Sequence, residues 1–219
     1  DMIYWNPAGL AHIEGVGVSF SNTEWLANTQ FNFASAAVPL PKIKSVLAAS
    51  FTTLGVPEQD VRLASGEKTG EQYDARDLAV NLAIGTRLIE QFSFGVSFKY
   101  INQRIWSENA TGLAVDVGVH YDTPLEGLTM GSSISNFGSD MSIGGKNLND
   151  IIDPDPENQG VTNVPVTYIT DEFPMPQIFR FGLAYEKLFF DDYRLITAVD
   201  LMHPTGSTES MNLGAELGI

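Results

Sequence analysis

Alternation of apolar and polar side chains with a period of two residues runs through most of the 219-residue chain. It is clearest in residues 91–100, where Phe92, Phe94, Val96, Phe98 and Tyr100 share one face and Ser93, Gly95, Ser97 and Lys99 share the other. Successive side chains of a β-strand point to opposite faces, so this period predicts strands. No helical period of 3.6 residues is sustained, and we expect an all-β protein.

Ten strands are predicted, at residues 13–20, 29–38, 43–54, 74–86, 91–105, 111–122, 127–137, 177–187, 192–202 and 208–219. Several are about as long as the roughly 9–11 residues that cross a bilayer, rather than the roughly 5–6 of a globular strand. Short connections (39–42, 87–90, 123–126, 188–191) alternate with longer ones (21–28, 55–73, 106–110, 138–176 and, only slightly longer, 203–207). That alternation is typical of an antiparallel up-and-down outer-membrane β-barrel.

A soluble β-sandwich is the alternative fold. The second face of a sandwich meets water and would carry many Lys, Glu and Thr residues. Here that face holds mostly Gly, Ala and Ser with isolated charges, which suits the lumen of a barrel. Five of these inward charges are expected to form ion pairs across the lumen: Lys99, Asp116, Arg180, Asp200 and Glu216.

Composition excludes several functions. The 12 basic and 27 acidic residues give a formal charge of −15, which argues against a nucleic-acid partner because phosphates repel such a surface. The absence of cysteine removes disulfides, cysteine-based zinc sites and thiol catalysis. No apolar run approaches the roughly 18 residues that a transmembrane helix needs. The chain begins at Asp1 and stops at Ile219 within an alternating run, so we expect a piece of a longer precursor.

No pattern points to an enzyme, a metal site or a cofactor. His12, His120 and His203 share no ligand spacing, and no nucleophile-elbow, phosphate-loop or dinucleotide motif occurs. Asp116 and Glu216 could imitate an acid–base pair, but inward charges in a barrel are far more often ion pairs.

Six segments occur in the order in which they appear in one family: Tyr4-Trp5-Asn6-Pro7-Ala8-Gly9-Leu10-Ala11, Ser21-Asn22-Thr23-Glu24-Trp25-Leu26, Phe94-Gly95-Val96-Ser97-Phe98-Lys99-Tyr100, Ser133-Ile134-Ser135-Asn136-Phe137-Gly138, Phe173-Pro174-Met175-Pro176 and Asn212-Leu213-Gly214-Ala215-Glu216. Together they resemble the PorV/PorQ family of FadL-like barrels, found in Bacteroidota and related phyla. The resemblance implies a fourteen-stranded barrel in the lipid of the bacterial outer membrane, with an N-terminal plug inside the lumen. Residues 1–12 would be the end of that plug, residues 13–219 would be part of the barrel domain, and about four strands would lie beyond this chain.

The same resemblance implies a role in type IX secretion. A PorV-like protein receives cargo that carries a C-terminal sorting domain as it leaves the translocon, and passes it to the surface attachment machinery. The partners would then be a translocon subunit and the sorting domains of cargo.

Two segments are candidate sites. Asn6, Pro7, Ala8 and Gly9 combine a restricted Asn-Pro step with a flexible glycine, and would either line a ligand path or merely close the mouth of the barrel. The 138–176 connection is long enough to be functional. Its candidate partner-binding residues are Asp150, Asp153, Asp155, Glu157, Asp171 and Phe173. A plain solvated loop and, less favoured, a Ca²⁺ site within 153–157 are the other interpretations.

Three functions therefore compete: a PorV-like shuttle for secreted proteins, a FadL-like transporter of hydrophobic small molecules, and a structural porin-like barrel. A shuttle should show ordered outer loops, a blocked lumen and an interface on 138–176. A transporter should show a continuous apolar pocket beside the plug and a kinked strand that opens the wall.

Overall fold

The computed structural model describes residues 2–154, 157, 160, 163–189 and 193–218. Its strands are β1 Gly17–Glu24, β2 Gln30–Leu40, β3 Ser45–Arg62, β4 Lys68–Ile89, β5 Phe92–Ile105, β6 Glu108–Asp122, β7 Leu128–Gly138, β8 Ile143–Gly145, β9 Asn149–Ile152, β10 Val164–Thr167, β11 Ile178–Phe189, β12 Tyr193–Pro204 and β13 Ser210–Gly218. The helices are one α-helical turn, Met2–Trp5, and four 3-10 segments, Pro7–His12, Leu26–Asn28, Pro41–Ile43 and Lys146–Leu148. None of the helices in these ranges is long and apolar enough to cross a membrane.

Ten long strands form one antiparallel sheet in which β1 to β7 pair in sequence order, followed by β11, β12 and β13. The short strand β8 adds to the end of β6, and β9 pairs only with β10. Every long strand therefore pairs with its neighbours in the chain, as in a meander. The predicted all-β, up-and-down antiparallel architecture is confirmed, and the ten long strands correspond to the ten predicted ones.

Burial across the sheet is the reverse of that in a soluble domain. On the outer face Val18 is 81% exposed and Phe98 is 64% exposed, whereas on the inner face Ser97 and Asp116 are 0% and 1% exposed. The apolar stripe of β5 thus faces away from the protein, which excludes a sandwich with these side chains at its centre. An outer band of large apolar side chains suits contact with lipid.

The predicted alternation of connection lengths is wrong at two places. Residues 55–73 are mostly strand rather than loop, because β3 and β4 continue as a paired ribbon to a turn at 63–67, with Lys68 Nζ 2.5 Å from a carboxylate oxygen of Asp60. The connection expected at 106–110 is only Trp106 and Ser107, with Trp106 in the left-handed region at φ 55°.

The strands define two ends of the lumen. The end near the connections 41–44, 90–91 and 123–127 is called the plug end below, and the end near 25–29, 63–67, 106–107 and 139–177 is called the loop end.

Candidate functional site in the lumen

Residues 2–12, called the lumen segment below, lie against the inner face at the plug end. Asn6 caps its 3-10 helix with extended backbone (φ −154°, ψ 110°), and its Oδ1 accepts a hydrogen bond from the Ala8 amide at 3.0 Å. Pro7 occupies the first helical position, where a missing N–H has no cost. The Asn-Pro-Ala-Gly sequence therefore builds a compact turn, and Pro7, Ala8 and Gly9 are all buried in it.

The same Asn6 side chain fastens the segment to the wall. Its Nδ2 donates to the carbonyl oxygens of Val119 in β6, at 3.0 Å, and of Ser132 in β7, at 3.3 Å. The Ser133 hydroxyl donates to the Trp5 carbonyl at 3.2 Å. One amide group thus serves as helix cap and as the link to two adjacent strands.

Three glycines in register on β4, β5 and β6 form a seat for the segment: Gly85 pairs with Gly95, which pairs with Gly118. A Cβ at Gly85 would lie 2.7 Å from the Leu10 Cβ. At Gly95 it would collide with the Pro7–Ala8 peptide, and at Gly118 with the Asn6 side chain. Sequence reasoning did not single out these glycines, although inward glycines at matching register on three neighbouring strands were the available signal.

Apolar packing completes the seat. Ile3 and Leu10 are buried, which stabilises the arrangement by about 1.5–3 kcal/mol for each side chain. They form one cluster with inner-face residues of β2, β3 and β4: Phe33, Ala37, Val46, Ala48 and Ala83.

His12 marks the end of the segment, within a group of titratable side chains. Arg87 Nη2 lies 3.2 Å from His12 Nδ1, Ser93 Oγ lies 3.5 Å from Nε2, and the ring centroid of His120 is 4.6 Å away. Burial lowers the pKa of His12 below its ordinary 6.5, and His120 and Arg87 lower it further against a smaller opposing effect of Asp122. The arrangement therefore favours neutral His12.

Halfway along the lumen, Lys99 and Asp116 form a buried ion pair with a Nζ–Oδ2 distance of 2.7 Å. Asp116 also accepts hydrogen bonds from the Ser97 hydroxyl at 3.1 Å and from the backbone N–H of Asn136 at 2.8 Å. Asn136 has φ 62° and lies at a register shift between β6 and β7, so the carboxylate satisfies a backbone group that the bulge removes from the ladder. Lys99 Nζ completes the network with a 2.9 Å bond to Asn136 Oδ1.

None of the predicted lumen charges pairs across the lumen, which corrects that expectation; even Lys99 and Asp116 lie on the adjacent strands β5 and β6. Arg180 has no carboxylate within 4.0 Å in the described part of the chain; it donates to Ser135 Oγ at 3.2 Å and lies 5.6 Å from the Trp5 ring centroid. Asp200 lies over its register partner Gly182, whose lack of a side chain leaves room for the carboxylate. Glu216 is 72% exposed, and its nearest cation is on the adjacent strand at 3.9 Å, so that contact is local.

The segment between β7 and β11, residues 139–177, is called the cap below, and it folds back into the loop end. Met141 and Phe173 exchange two backbone hydrogen bonds at 2.9 and 2.8 Å. Met141 and Met175 are buried against Ala110 and Ala114 of β6, with Phe173 and Ile101 beside them. Gly112, between the two alanines, leaves the space that the methionine side chains fill.

The predicted partner-binding residues divide into two groups. Asp150, Asp153, Glu157 and Asp171 are exposed on the cap. Phe173 instead packs beside the methionine cluster, because its bridge to Met141 turns it inward; its place on a partner surface stays a prediction. Asp155, and with it part of the Ca²⁺ hypothesis, lies outside the described residues.

Asp150 also accepts a hydrogen bond from the Tyr168 hydroxyl at 3.2 Å, and this bond raises the pKa of Tyr168. In the ranges that the structure covers, no cluster of three His, Cys, Asp or Glu side chains could hold a metal ion.

Among the cavities that the lumen segment borders, two are larger. One of about 500 Å³ lies between Asn6 and the inner face of β7, β11 and β12, with Trp5, His120, Arg180 and Asp200 in its lining. The other, of about 370 Å³, is lined by five aromatic rings and two hydroxyls: Tyr4, Trp5, Trp25, Phe31, Phe33, Ser21 and Thr23.

No protein-family model matches the chain, and no curated protein matches its sequence. Among solved structures it is similar to a TodX deltaS2S3 mutant, described as a monoaromatic hydrocarbon channel, with a TM-score of 0.53 and 11% sequence identity. The match covers 97% of this chain and 67% of the channel. At that identity the likeness shows the fold alone, an antiparallel up-and-down β-barrel.

Proposed function

We propose that this barrel acts by binding proteins at its loop end, as a PorV-like outer-membrane shuttle that receives secreted cargo and passes it to the attachment machinery. The observation that carries the proposal is that segments of the chain enter the lumen at both of its ends. The lumen segment occupies the plug end, held by Asn6 and the glycine seat. The cap occupies the loop end, held by Met141 and Met175.

The middle of the lumen is also poorly suited to apolar cargo. Between the two inserted segments lies the Lys99–Asp116 ion pair. An apolar solute that displaced its hydrogen-bonding partners would leave buried charge uncompensated, which costs several kcal/mol. A continuous apolar path, which a transporter of hydrophobic molecules needs, is therefore disfavoured here.

The outer surface of the cap has the chemistry of a docking site. Ile151, Tyr168 and Ile169 are exposed, Ile169 at 97%, beside the acidic Asp150 and Asp171. Apolar side chains with a polar rim are typical of protein interfaces. The ordered set of segments that resembles the PorV/PorQ family supports secreted cargo and a translocon subunit as the partners.

The test is affinity purification of the tagged, full-length protein from its native membranes in mild detergent, followed by mass spectrometry. We expect a large translocon subunit or proteins with C-terminal sorting domains, and we expect Ile151→Asp/Ile169→Asp to abolish their recovery. Leu63→Asp is the control, because Leu63 is also apolar and more than half exposed but lies in the β3–β4 turn. Recovery of lipid-like molecules alone would refute the shuttle.

A second candidate function, passage of small aromatic molecules, is favoured by the 370 Å³ cavity with its five rings. The TodX mutant, whose fold is similar, is described as a monoaromatic hydrocarbon channel. Ser21→Trp would fill the cavity, and Asn22→Trp, on the opposite face of β1, is the control. If this function holds, cells carrying the protein take up radiolabelled toluene faster than cells without it, and only Ser21→Trp removes the difference.

A further inference from the structure

A third cavity, called the central chamber below, lies between the two inserted segments and has a volume of about 180 Å³. It touches Tyr4 of the lumen segment on one side. On another side it touches Asn136, whose side-chain Nδ2 donates to the Pro176 carbonyl of the cap at 2.9 Å. Polar residues of five strands form most of its wall: Ser50, Thr52, Asn81, Lys99, Ser135, Asn136 and Arg180.

Positive charge exceeds negative charge around the chamber. Lys99 and Arg180 both line it, and the lining includes no carboxylate. The charge of Lys99 is neutralised by its ion pair with Asp116, which does not line the chamber. Arg180 has no such partner among the described residues, and a guanidinium has five N–H donors, of which Ser135 accepts one. The unused donors of Arg180 fit an oxyanion.

Asn81, another residue of the chamber wall, carries an acceptor without a partner. Asn81 is only 4% exposed, and its Oδ1 is buried with no hydrogen-bond partner among the residues that the structure describes. Buried acceptors are nearly always satisfied, so this oxygen needs a donor that the protein does not supply. A group that accepts from Arg180, and that donates to Asn81 once this side chain turns toward the chamber, satisfies both residues.

We infer that the central chamber binds a small oxyanion that carries a hydroxyl group, such as hydrogen phosphate, with its charged oxygens toward Arg180 and Lys99 and its hydroxyl donating to Asn81. A volume of 180 Å³ equals roughly six water molecules, which accommodates a phosphate-sized anion and a few waters but no long chain. The inference is independent of the proposed shuttle function, since it concerns the lumen and not the cap surface.

The probe is inorganic phosphate, added to the purified protein in detergent at constant ionic strength. Trp5 is the reporter, because the Arg180 guanidinium lies over its ring and an anion bound to that guanidinium changes the electrostatic environment of the indole. Trp25→Phe/Trp106→Phe leaves Trp5 as the single tryptophan. We expect a saturable change in its fluorescence with phosphate and a much weaker response to sulfate, which has no hydroxyl to donate at neutral pH.

Variants locate the site. Isothermal titration calorimetry measures the variants, because Arg180→Gln also removes the contact on which the Trp5 signal depends. Arg180→Gln should raise the phosphate Kd by about tenfold or more, because it removes charge-assisted hydrogen bonds. Asn81→Ala should make phosphate and sulfate bind equally, and Asn81→Asp should abolish binding of both by repulsion. Arg194→Gln is the control, since Arg194 is an exposed arginine of the neighbouring strand that does not line the chamber. Binding that is unsaturable, equal for the two anions in the parent protein, or insensitive to Arg180→Gln overturns the inference.

Discussion

Gly95 of β5 lies so close to Pro7 that no side chain fits between the strand and the lumen segment. Gly95→Ala should therefore displace the segment, because overpacking a closed contact costs about 1–3 kcal/mol and here the obstacle is backbone. The chain has no cysteine, so a cysteine placed at the fully buried Ala8 reports displacement directly. We expect maleimide to label Ala8→Cys slowly in the parent protein and at least tenfold faster with Gly95→Ala.

Gly131→Ala is the matched control. A Cβ there would lie 3.6 Å from Asn6 Nδ2, an ordinary contact, and labelling should stay slow. Equal labelling rates in both glycine variants would contradict the proposed seat.

Asn6→Ala should loosen the same segment through lost hydrogen bonds rather than through a clash. It removes two hydrogen bonds that Asn6 donates to strand carbonyls and the one that its Oδ1 accepts from the Ala8 N–H, at about 1 kcal/mol each. Hydrogen exchange of the amides of residues 8–13 should accelerate, while exchange in β5 stays unchanged. Asn22→Ala, which breaks an exposed bond to Asn32, should have no such effect.

The Lys99–Asp116 pair predicts a non-additive double-mutant cycle. Lys99→Met leaves a buried carboxylate without its counter-charge and should lower the free energy of unfolding by about 3–5 kcal/mol. Lys99→Met/Asp116→Asn removes both charges but keeps an oxygen that accepts from the Asn136 backbone N–H, and should restore most of that loss. Urea unfolding of the refolded barrel in lipid vesicles measures both. Should the double variant be no more stable than the single one, the pair is not the interaction that matters at this position.

The cap should open when its methionine anchors are shortened. Met141→Ala/Met175→Ala creates cavities that cost about 2–5 kcal/mol per site, and the cap then detaches from the inner wall. Its single lysine, Lys146, provides a trypsin site, and cleavage there should accelerate. Ile169→Ala, at an almost fully exposed position of the same segment, should leave the cleavage rate unchanged.

Acid should weaken the contact that His12 makes between the lumen segment and the wall. Its pKa is lowered by burial first and then by His120 and Arg87, so folding favours the neutral ring. The stabilisation of the folded state by neutral His12 is complete above the ordinary pKa of 6.5. It is lost as the pH falls from there through the lowered pKa of the folded state. Labelling of Ala8→Cys, normalised to an exposed cysteine, should therefore accelerate below about pH 6.5. In His12→Gln the side chain at this position does not titrate, so the labelling rate should not depend on pH in this range. The neighbouring Ser93 and Asp122 are unchanged in that variant.

The sequence predicted the wall well and its inserts poorly. Alternation is local, so residues such as Phe98 and Ser97 revealed their faces and each strand could be placed within a few residues, apart from the extended β3–β4 ribbon. The seat depends on register between Gly85, Gly95 and Gly118, and pairing between strands cannot be read from any one of them. Arg180 and Asp200 were correctly assigned to the inner face, but their partners depend on distances across the lumen that no spacing encodes.

Because the lumen segment precedes every strand in the chain and lies inside the wall, the order of assembly is constrained. Its side chains occupy hollows that exist only once β4, β5 and β6 have paired in register, and those hollows are walled in as further strands add. The seat therefore forms no earlier than the pairing of these three strands. Docking of the N-terminal turn then reports that the wall has reached its correct register.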